Sequence, residues 1–475
     1  MAKTATDLPA EAPASRSRAA DLFELSKPAS PDLHLIRSEV GFHLLLPNGN
    51  RLFDLDVQTF ETLEAALAGS DAVPVQRLLN NLGLDMAPLV NDEPLKDPPV
   101  RALSLAVAQK CNLGCAYCYA QQGEFGGLAK SMPLSTALES VDLLFRDATP
   151  GERVNLSFLG GEPLMNRRAI HAATTRAMEL SEQKGVPVTF SITTNGTLIK
   201  PGDGEFFEEH GFAVTVSIDG PQPVHDLLRS TKGGRGSFDT VIANVTPLLA
   251  AQRRMQVSAR VTVTPHNLGL KRTLDEFVGM RFHSVGFSPM LSSPSGRYEL
   301  GASELKLMLE QMVACGEEFE RHIESGQRYP FANMVNAMRE IHTGTHRPYP
   351  CGAGAGYLGV SAEGELAACH RFVGDEKGAM GDVATGVDRQ RQATWLAERH
   401  VHRQEPCNEC WARYMCSGGC HHEVIRRGRP ACEYIRGWLH YCLQAYCRLL
   451  ASRPDYFGMG KAVTTGTAEP QPRRD

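Results

Sequence analysis

The sequence lacks the features that mark membrane, secreted and nucleic-acid-binding proteins. No apolar run approaches the roughly 20 residues that a membrane-spanning helix needs. Residues 1–30 are rich in Ala, Pro, Ser and basic residues but have no apolar segment of a secretory signal. The net charge of −5 gives no basic excess that would favour nucleic acid. We therefore expect a cytoplasmic protein without a membrane or nucleic-acid partner, whose residues 1–32 form a disordered lead.

Cysteine is absent before position 111 and unevenly distributed after it. Of the 13 cysteines, three fall between positions 111 and 118, Cys315 stands alone in the middle, and nine follow from Cys351 onward. Cytoplasmic thiols stay reduced, so this clustering favours metal ligation or catalysis over disulfides. Cys315 lies at helical spacings from Met308, Met312 and Phe319, which predicts a buried thiol.

The opening motif consists of Cys111, Cys115 and Cys118, spaced C-x3-C-x2-C, with Tyr117 before the last cysteine. It follows an apolar run, residues 102–108, that predicts a buried strand. Three thiolates on such a loop can hold three irons of a cubic 4Fe–4S cluster, whereas a full protein set would contain four cysteines. One iron is then free to bind another ligand. The alternative is a structural zinc site, which needs four closed ligands.

Strands and helices alternate after the opening motif. The predicted strands are Ala102–Ala108, Val154–Phe158, Val188–Thr193, Ala213–Ile218, Val257–Thr264 and His283–Ser288. The predicted helices follow Pro133 as far as Arg146 and span Arg167–Lys184, Phe238–Gln252 and Leu270–Val278. Such alternation predicts an α/β fold with a parallel sheet.

Glycines and polar residues lie in or just after these strands, where α/β folds collect their functional groups. They are Gly160, Gly161, Glu162, Pro163, Ser191, Thr193, Asn195, Ser217, Asp219, Asp226, Arg229 and Arg260. The two glycines allow close backbone approach to a ligand. Asp219, or alternatively Asp226, is our hypothesis for a catalytic acid/base. The alternative for Asp219 is a plain turn residue, since Asp-Gly-Pro is common turn chemistry.

The stretch Cys111–Tyr119 resembles the signature of the radical S-adenosylmethionine (SAM) enzymes. The resemblance implies a partial (β/α)6 TIM-type barrel over residues 100–300. It implies that the open iron chelates the amino and carboxylate groups of SAM, which an electron then splits into methionine and a 5′-deoxyadenosyl radical. It assigns residues 160–163 to the SAM amino group and residues 217–229 to SAM contacts and the substrate cavity. Arg260 is the candidate partner of the SAM carboxylate.

Further cysteines form a second pattern, which resembles the seven-cysteine SPASM domain over residues 346–450. By this resemblance the first auxiliary 4Fe–4S cluster takes Cys351, Cys369 and Cys420, and the second takes Cys407, Cys410, Cys416 and Cys432. Cys442 is the alternative to Cys432. The first auxiliary cluster lacks a fourth cysteine, so another residue fills that iron or it is open to a substrate thiolate.

The remaining segments are less informative. Residues 33–96 show strands followed by helices, resembling the small domains that bind a leader peptide by strand addition. A plain accessory domain is the alternative. We expect a helical bridge over residues 301–345 and a polar tail over residues 451–475.

Together these features resemble the radical SAM/SPASM peptide maturases. Residues 416–423 and 431–438 resemble in particular the quinohemoprotein amine dehydrogenase maturation proteins. This implies an oxidoreductase that installs Cys-to-Asp/Glu thioether crosslinks in a small cysteine-containing polypeptide. Its cofactors would be three 4Fe–4S clusters and SAM, with an electron donor such as flavodoxin or ferredoxin. The alternatives are a formylglycine-forming anaerobic sulfatase maturase, another crosslinking maturase, and a non-catalytic iron–sulfur electron carrier.

Overall fold

The computed structural model of the chain describes residues 18–69, 73–81, 83–84 and 87–458. The strands, numbered in chain order, are β1 (His34–Ser38), β2 (Gly41–Leu46), β3 (Arg51–Leu55), β4 (Ala102–Gln109), β5 (Lys130–Ser131), β6 (Val154–Gly160), β7 (Val188–Thr194), β8 (Ala213–Ser217), β9 (Gln256–Val263), β10 (Ser284–Pro289), β11 (Tyr357–Val360), β12 (Glu365–Ala367), β13 (Ala379–Asp382) and β14 (Gly386–Val387).

The helices are numbered in the same way. They are α1 (Arg18–Leu25), α2 (Val57–Ala68), α3 (Val73–Asn81), α4 (Leu134–Arg146), α5 (Arg167–Lys184), α6 (Pro201–His210), α7 (Gln222–Leu228), α8 (Phe238–Ala251), α9 (Leu270–Gly279), α10 (Ala302–Glu324), α11 (Ala332–His342), α12 (Arg389–Arg399), α13 (Arg413–Cys416), α14 (His421–Arg427) and α15 (Cys432–Ser452). None of these described helices is long and apolar enough to cross a membrane.

The barrel sheet has the strand order β10-β9-β8-β7-β6-β4, with every neighbouring pair parallel. All six strands predicted from the sequence are confirmed, each to within two residues at its ends. Their inward apolar side chains form one core with the surrounding helices, which explains the continuous apolar character of β4. The α/β prediction of a partial parallel barrel is therefore confirmed.

The cysteine-rich region continues the barrel sheet instead of forming a separate unit. β11 pairs in parallel with β4, placing Leu358 opposite Leu103, and β12, β13 and β14 extend the sheet in antiparallel order. The sequence did not predict this extension, because β11 is only four residues long and lies in a glycine-rich stretch.

Helix α6 was also missed, since its sequence contains Gly202 and Gly204, which disfavour helices. Tertiary contacts compensate for this weak propensity. Asp203 accepts a hydrogen bond of 2.7 Å from Arg167 Nε on α5, and Phe207 is buried in the core.

The N-terminal unit is a three-stranded antiparallel sheet in the order β1-β2-β3, so β3 lies at one edge. Leu44 and Leu63 belong to a small core between the sheet and α2. The lead predicted over residues 1–32 is corrected in its described part. Residues 18–25 form α1, which packs on α10 and α15 because Ala19 and Leu22 are apolar and buried.

The predicted polar tail is corrected at its start. α15 continues to Ser452, and a 3-10 helix spans Pro454–Phe457. The rest of the predicted tail, residues 459–475, and residues 1–17 of the predicted lead lie outside the described residues. Helices α10 and α11 occupy the predicted bridge, and Cys315 is buried on α10 as expected.

Candidate active site

The loop that follows β4 carries the three opening cysteines and is held at the barrel mouth by backbone hydrogen bonds. Gly114 N donates to Ser230 O at 2.8 Å, and Ala116 N donates to Leu228 O at 3.1 Å. The loop approaches Gly161 so closely that a Cβ atom there would lie 2.3 Å from the carbonyl oxygen of Lys110. This contact explains why a glycine follows β6.

The three opening thiols lie close enough to influence one another. Burial raises the pKa of Cys115 to about 12, and the neighbouring thiols Cys118 and Cys111 add to the rise. Burial also raises the pKa of Cys111. Protein thiols in such surroundings need a nearby positive charge to become thiolates. Arg229 Nη1 lies 4.0 Å from Cys115 Sγ, and Asn195 Nδ2 lies 3.7 Å from Cys111 Sγ.

A cavity of about 750 Å³ opens beside these thiols at the carboxyl ends of the strands. It brings together many of the residues that the sequence singled out. The opening cysteines line it with Gly160, Gly161, Thr193, Asn195, Ser217, Arg229 and Arg260. Functional groups from five strands or their following loops therefore meet at one site.

Of the segment predicted to meet the SAM amino group, Gly160 and Gly161 line this cavity, whereas Glu162 and Pro163 do not. The Glu162 carboxylate is fully buried. It accepts hydrogen bonds from Leu164 N at 3.1 Å, Thr194 Oγ1 at 2.7 Å and Asn195 N at 2.7 Å. Burial raises the pKa of Glu162 to about 7, although these hydrogen bonds oppose the shift. The carboxylate thus joins the loops after β6 and β7, and Gly160–Gly161 present backbone to the cavity.

Asp219 is likewise enclosed. Its carboxylate accepts hydrogen bonds from Arg229 Nε at 2.8 Å, from Thr262 N at 2.9 Å and from the Tyr117 hydroxyl. The side chain is fully buried and outside the cavity lining. This geometry favours a positioning role for Asp219, in which it holds Tyr117 and Arg229 in the cavity wall, over the acid/base role hypothesised from the sequence.

Asp226 and Ser191 also fall outside the cavity lining. Asp226 Oδ1 accepts hydrogen bonds from Ser237 N at 2.8 Å and Phe238 N at 2.9 Å, so it caps α8 rather than facing a substrate. Ser191 lies on the same strand as Thr193 but forms a 2.7 Å hydrogen bond with Ser157 instead.

The cysteines assigned to the first auxiliary cluster lie together. Burial raises the pKa of Cys369 to about 12, and its neighbours Cys420 and Cys351 contribute to the rise. Cys420 also lines the cavity of the opening motif. The first auxiliary group thus reaches this cavity through Cys420, whereas Cys351 and Cys369 are not among its lining residues.

The second auxiliary set surrounds a separate cavity of about 110 Å³, lined by Cys407, Cys410, Cys416 and Cys432. Cys420 borders it too. Cys442 does not, because it is buried on α15 with its Sγ 3.9 Å from Met334 Sδ. The geometry brings Cys432, and not Cys442, to the other three thiols.

Several lining residues were not predicted as functional. Tyr119, His370, Arg371 and Glu423 border the main cavity. Arg371 Nη1 donates to Glu423 Oε1 at 2.7 Å and lies 3.9 Å from Cys420 Sγ. The available signal was adjacency: each of these four residues lies within three positions of a predicted ligand cysteine.

The donor sets fit iron–sulfur clusters. In the described part of the chain no three His, Cys, Asp or Glu side chains converge as ligands of one metal ion would. The opening thiols, Cys420 and the second auxiliary set border two cavities, and thiolates are the ligands that hold iron–sulfur clusters. Cys111, Cys115 and Cys118 would hold the SAM-binding cluster, and the two C-terminal sets would hold the auxiliary clusters.

Comparison with known proteins agrees with this geometry. Residues 105–278 match the profile of the radical SAM superfamily. The serine-type anaerobic sulfatase-maturating enzyme of Klebsiella aerogenes is 25% identical over 341 residues, which cover 69% of this chain and 81% of that enzyme.

Solved structures share the fold. Native anSMEcpe with bound AdoMet and the Cp18Cys peptide superposes with a TM-score of 0.60 at 19% identity, covering 75% of this chain and 100% of that chain. Streptococcus suis SuiB bound to the precursor peptide SuiA gives a TM-score of 0.51 at 16% identity, covering 84% of this chain and 97% of that chain. The chain is therefore an enzyme, and its residues 105–278 match the radical SAM superfamily.

Proposed function

We propose that this peptide-modifying radical SAM enzyme installs thioether crosslinks within a small partner polypeptide. Cysteine sulfur would be joined to a methylene carbon of Asp or Glu, as in the small subunit of quinohemoprotein amine dehydrogenase. One observation carries the proposal: the cavity beside Cys111, Cys115 and Cys118 extends to Cys420. A polypeptide bound there would meet both cysteine groups at once.

Thioether formation requires both the opening cysteines and the first auxiliary set. When bound, the opening cluster and SAM supply the electron and the 5′-deoxyadenosyl radical that removes a hydrogen atom from an unactivated carbon. Joining sulfur to that carbon also releases the thiol proton and one electron. Cys351, Cys369 and Cys420 would hold the iron–sulfur group that accepts this electron. The sequence places no cysteine between Gly352 and Ala368, which leaves room for a substrate thiolate at that group.

The chain's own residues would orient the reactants and keep water out. Tyr117, Leu228 and Met290 form an apolar cluster at the cavity. Asp219 holds Arg229 beside Cys115, while Asn195 contacts Cys111. When SAM is bound, these polar residues would orient it, and the apolar side chains would shield a radical from solvent.

The N-terminal sheet would hold the partner. A groove of about 840 Å³ lies between β3 on one side and α11 and α15 on the other. β3 is an edge strand, which can accept a further strand from an extended peptide.

Mass spectrometry of small cysteine-containing polypeptides co-expressed with the enzyme tests the proposal. We expect a loss of two hydrogens per crosslink, with fragmentation that locates each bond between Cys and Asp or Glu. Enzyme carrying Cys115→Ala is the control and leaves the mass unchanged. Formylglycine, detected as an aldehyde, would instead favour the chemistry for which the Klebsiella relative is named. Crosslinks at other residue types would point to another maturase.

A further inference from the structure

Arg260 occupies an unusual place inside the barrel. It lies on β9 in register with Ser217 of β8 and Gly286 of β10, and it lines the main cavity. A Cβ atom on Gly286 would lie 3.3 Å from Arg260 Nη1. The missing side chain at Gly286 therefore gives the guanidinium group room within the barrel.

Three arginines line the cavity, and two of them already have an acidic partner. Arg229 is paired with Asp219 at 2.8 Å and Arg371 with Glu423 at 2.7 Å. Among the described residues, Arg260 has no ion pair, and its guanidinium donates a hydrogen bond to the Ser288 hydroxyl.

The Arg260 side chain is exposed to the cavity, and partial desolvation by the cavity walls lowers the pKa of Arg260. A guanidinium group without an acidic partner remains available to pair with an anionic ligand. The cavity therefore has one unbalanced positive site.

Two anions could reach this site: the carboxylate of SAM and a carboxylate of the substrate. The arginine beside the opening cysteines is Arg229, whose Nη1 is 4.0 Å from Cys115 Sγ. Arg260 belongs to β9, four strands from β4 in the sheet order, and its guanidinium contacts the Ser288 hydroxyl, while Ser258 and Ser284 line the same cavity. This separation favours a second anion, distinct from the ligand of the opening motif.

We propose that Arg260 binds the side-chain carboxylate of the Asp or Glu residue whose methylene carbon is modified. The inference rests on the thioether-forming function proposed above. A guanidinium fork holds a carboxylate in a fixed plane, and the adjacent methylene is then presented in one orientation. Asparagine and glutamine lack the negative charge, so this contact selects acidic residues.

The test uses anaerobically purified, cluster-loaded enzyme with SAM present. The probes are N-acetyl-aspartate N-methylamide and its asparagine counterpart, and calorimetry measures their dissociation constants. We expect the aspartate probe to bind at least about tenfold more tightly, as one charge-assisted contact implies. Arg260→Gln removes this preference and Arg260→Lys retains part of it. The matched control, Arg272→Gln, changes an exposed arginine of α9 and keeps the full preference.

SAM affinity is measured on the same variants, with iron content and circular dichroism as checks of folding. Equal binding of the two probes to the wild-type enzyme would overturn the inference. So would an Arg260→Gln variant that weakens SAM binding tenfold and keeps the aspartate preference, because Arg260 would then serve SAM. If co-expressed polypeptides carry no thioether but the Arg260-dependent preference persists, the proposed function fails and the carboxylate site stands. If the co-expressed polypeptides carry thioethers but the aspartate probe is not preferred, the proposed function stands and the carboxylate site at Arg260 is excluded.

Discussion

At the scale of single residues, the Asp219 carboxylate balances the charge of Arg229 in the cavity wall, with a 2.8 Å contact between two buried groups. Asp219→Asn removes the negative charge and leaves the guanidinium buried without compensation. We expect a destabilisation of about 3–5 kcal/mol, because breaking one partner of a buried pair leaves an unpaired charge. Denaturant unfolding of the cluster-loaded protein measures it.

The control for Asp219 is Asp142→Asn, which breaks an exposed ion pair with Arg176 at 2.9 Å. We expect a change of at most about 1 kcal/mol there. If Asp219→Asn unfolded like the wild-type protein but formed no product, Asp219 would be an acid/base group after all.

The position of Arg371 predicts how its replacement shifts the reduction potential of the cluster that Cys420 would hold. Its guanidinium lies 3.9 Å from Cys420 Sγ and 5.2 Å from the centre of the Tyr119 ring. A positive charge at a ligand sulfur stabilises the reduced cluster, so Arg371→Gln lowers the reduction potential of the cluster that Cys420 would hold. Glu423→Gln removes a negative charge and raises it. Redox titration followed by electron paramagnetic resonance measures both shifts.

Arg391→Gln is the control for this potential, since Arg391 forms an exposed ion pair with Glu376. Its reduction potentials match those of the wild-type enzyme. Identical potentials in the Arg371 and Glu423 variants would mean that this pair does not act on the cluster.

At the scale of elements, two buried histidines join β1 to α15. His34 Nε2 and His440 Nδ1 are 2.8 Å apart, and the His34 ring stacks on Trp411 with 3.8 Å between ring centres. Burial lowers the pKa of His34, and the neighbouring His440 lowers it further. Burial also lowers the pKa of His440 to about 4. Between that pH and about 6.5 the unfolded chain therefore binds more protons than the folded protein.

The histidine pair predicts that stability is complete above pH 6.5 and falls as the pH drops toward 4. Each histidine contributes a slope of up to about 1.4 kcal/mol per pH unit. Unfolding measured between pH 7.5 and 5 checks the slope. His440→Gln lowers the slope by the share of one histidine, because the buried His225 and His400 still contribute to it. His171→Gln, at an exposed position on α5, leaves the slope unchanged. A slope that is the same in all three proteins would exclude the pair as its source.

The edge position of β3 predicts that the partner polypeptide binds by adding a strand to it. If an added peptide strand pairs with Arg51–Leu55, hydrogen exchange of the β3 amides slows when the partner polypeptide is present. Amides of α2, Val57–Ala68, serve as the internal control because α2 is not at the sheet edge. Unchanged exchange in β3 would favour a purely accessory role for this unit.

The sequence predicted those elements whose signal is local. The six barrel strands are apolar runs, and α5 shows helical periodicity over its full length. β11 was missed because its pairing with β4 joins residues far apart in the chain. Contacts between residues far apart in the chain also explain why the environment of Glu162 was not predicted. In the sequence Glu162 resembles an exposed turn carboxylate, but in the folded protein Thr194 and Asn195 enclose it.

At the scale of the whole molecule, the three cysteine groups predict the metal content. We expect the fully loaded enzyme to contain about twelve irons per chain, four for each of the three proposed clusters. Cys432→Ser removes a thiol from the cavity of the second auxiliary set and lowers the count by about four. Cys442→Ser, which changes a core thiol on the same helix, keeps all of them. Iron and sulfide analysis measures the difference, and iron loss in the Cys442 variant alone would reverse the assignment.

The pairing of β11 with β4 also governs how the protein is made. β4 leads directly into the opening cysteine loop. Its second edge pairs with Tyr357–Val360 over residues 102–105, and the short strand β5 pairs with Ala108 and Gln109. We expect the part that β11 covers to stay unpaired during synthesis until residue 360 has left the ribosome, so that cluster insertion into a finished pocket follows translation of most of the chain. A fragment that ends at residue 345 would expose an open strand edge, and we expect it to self-associate.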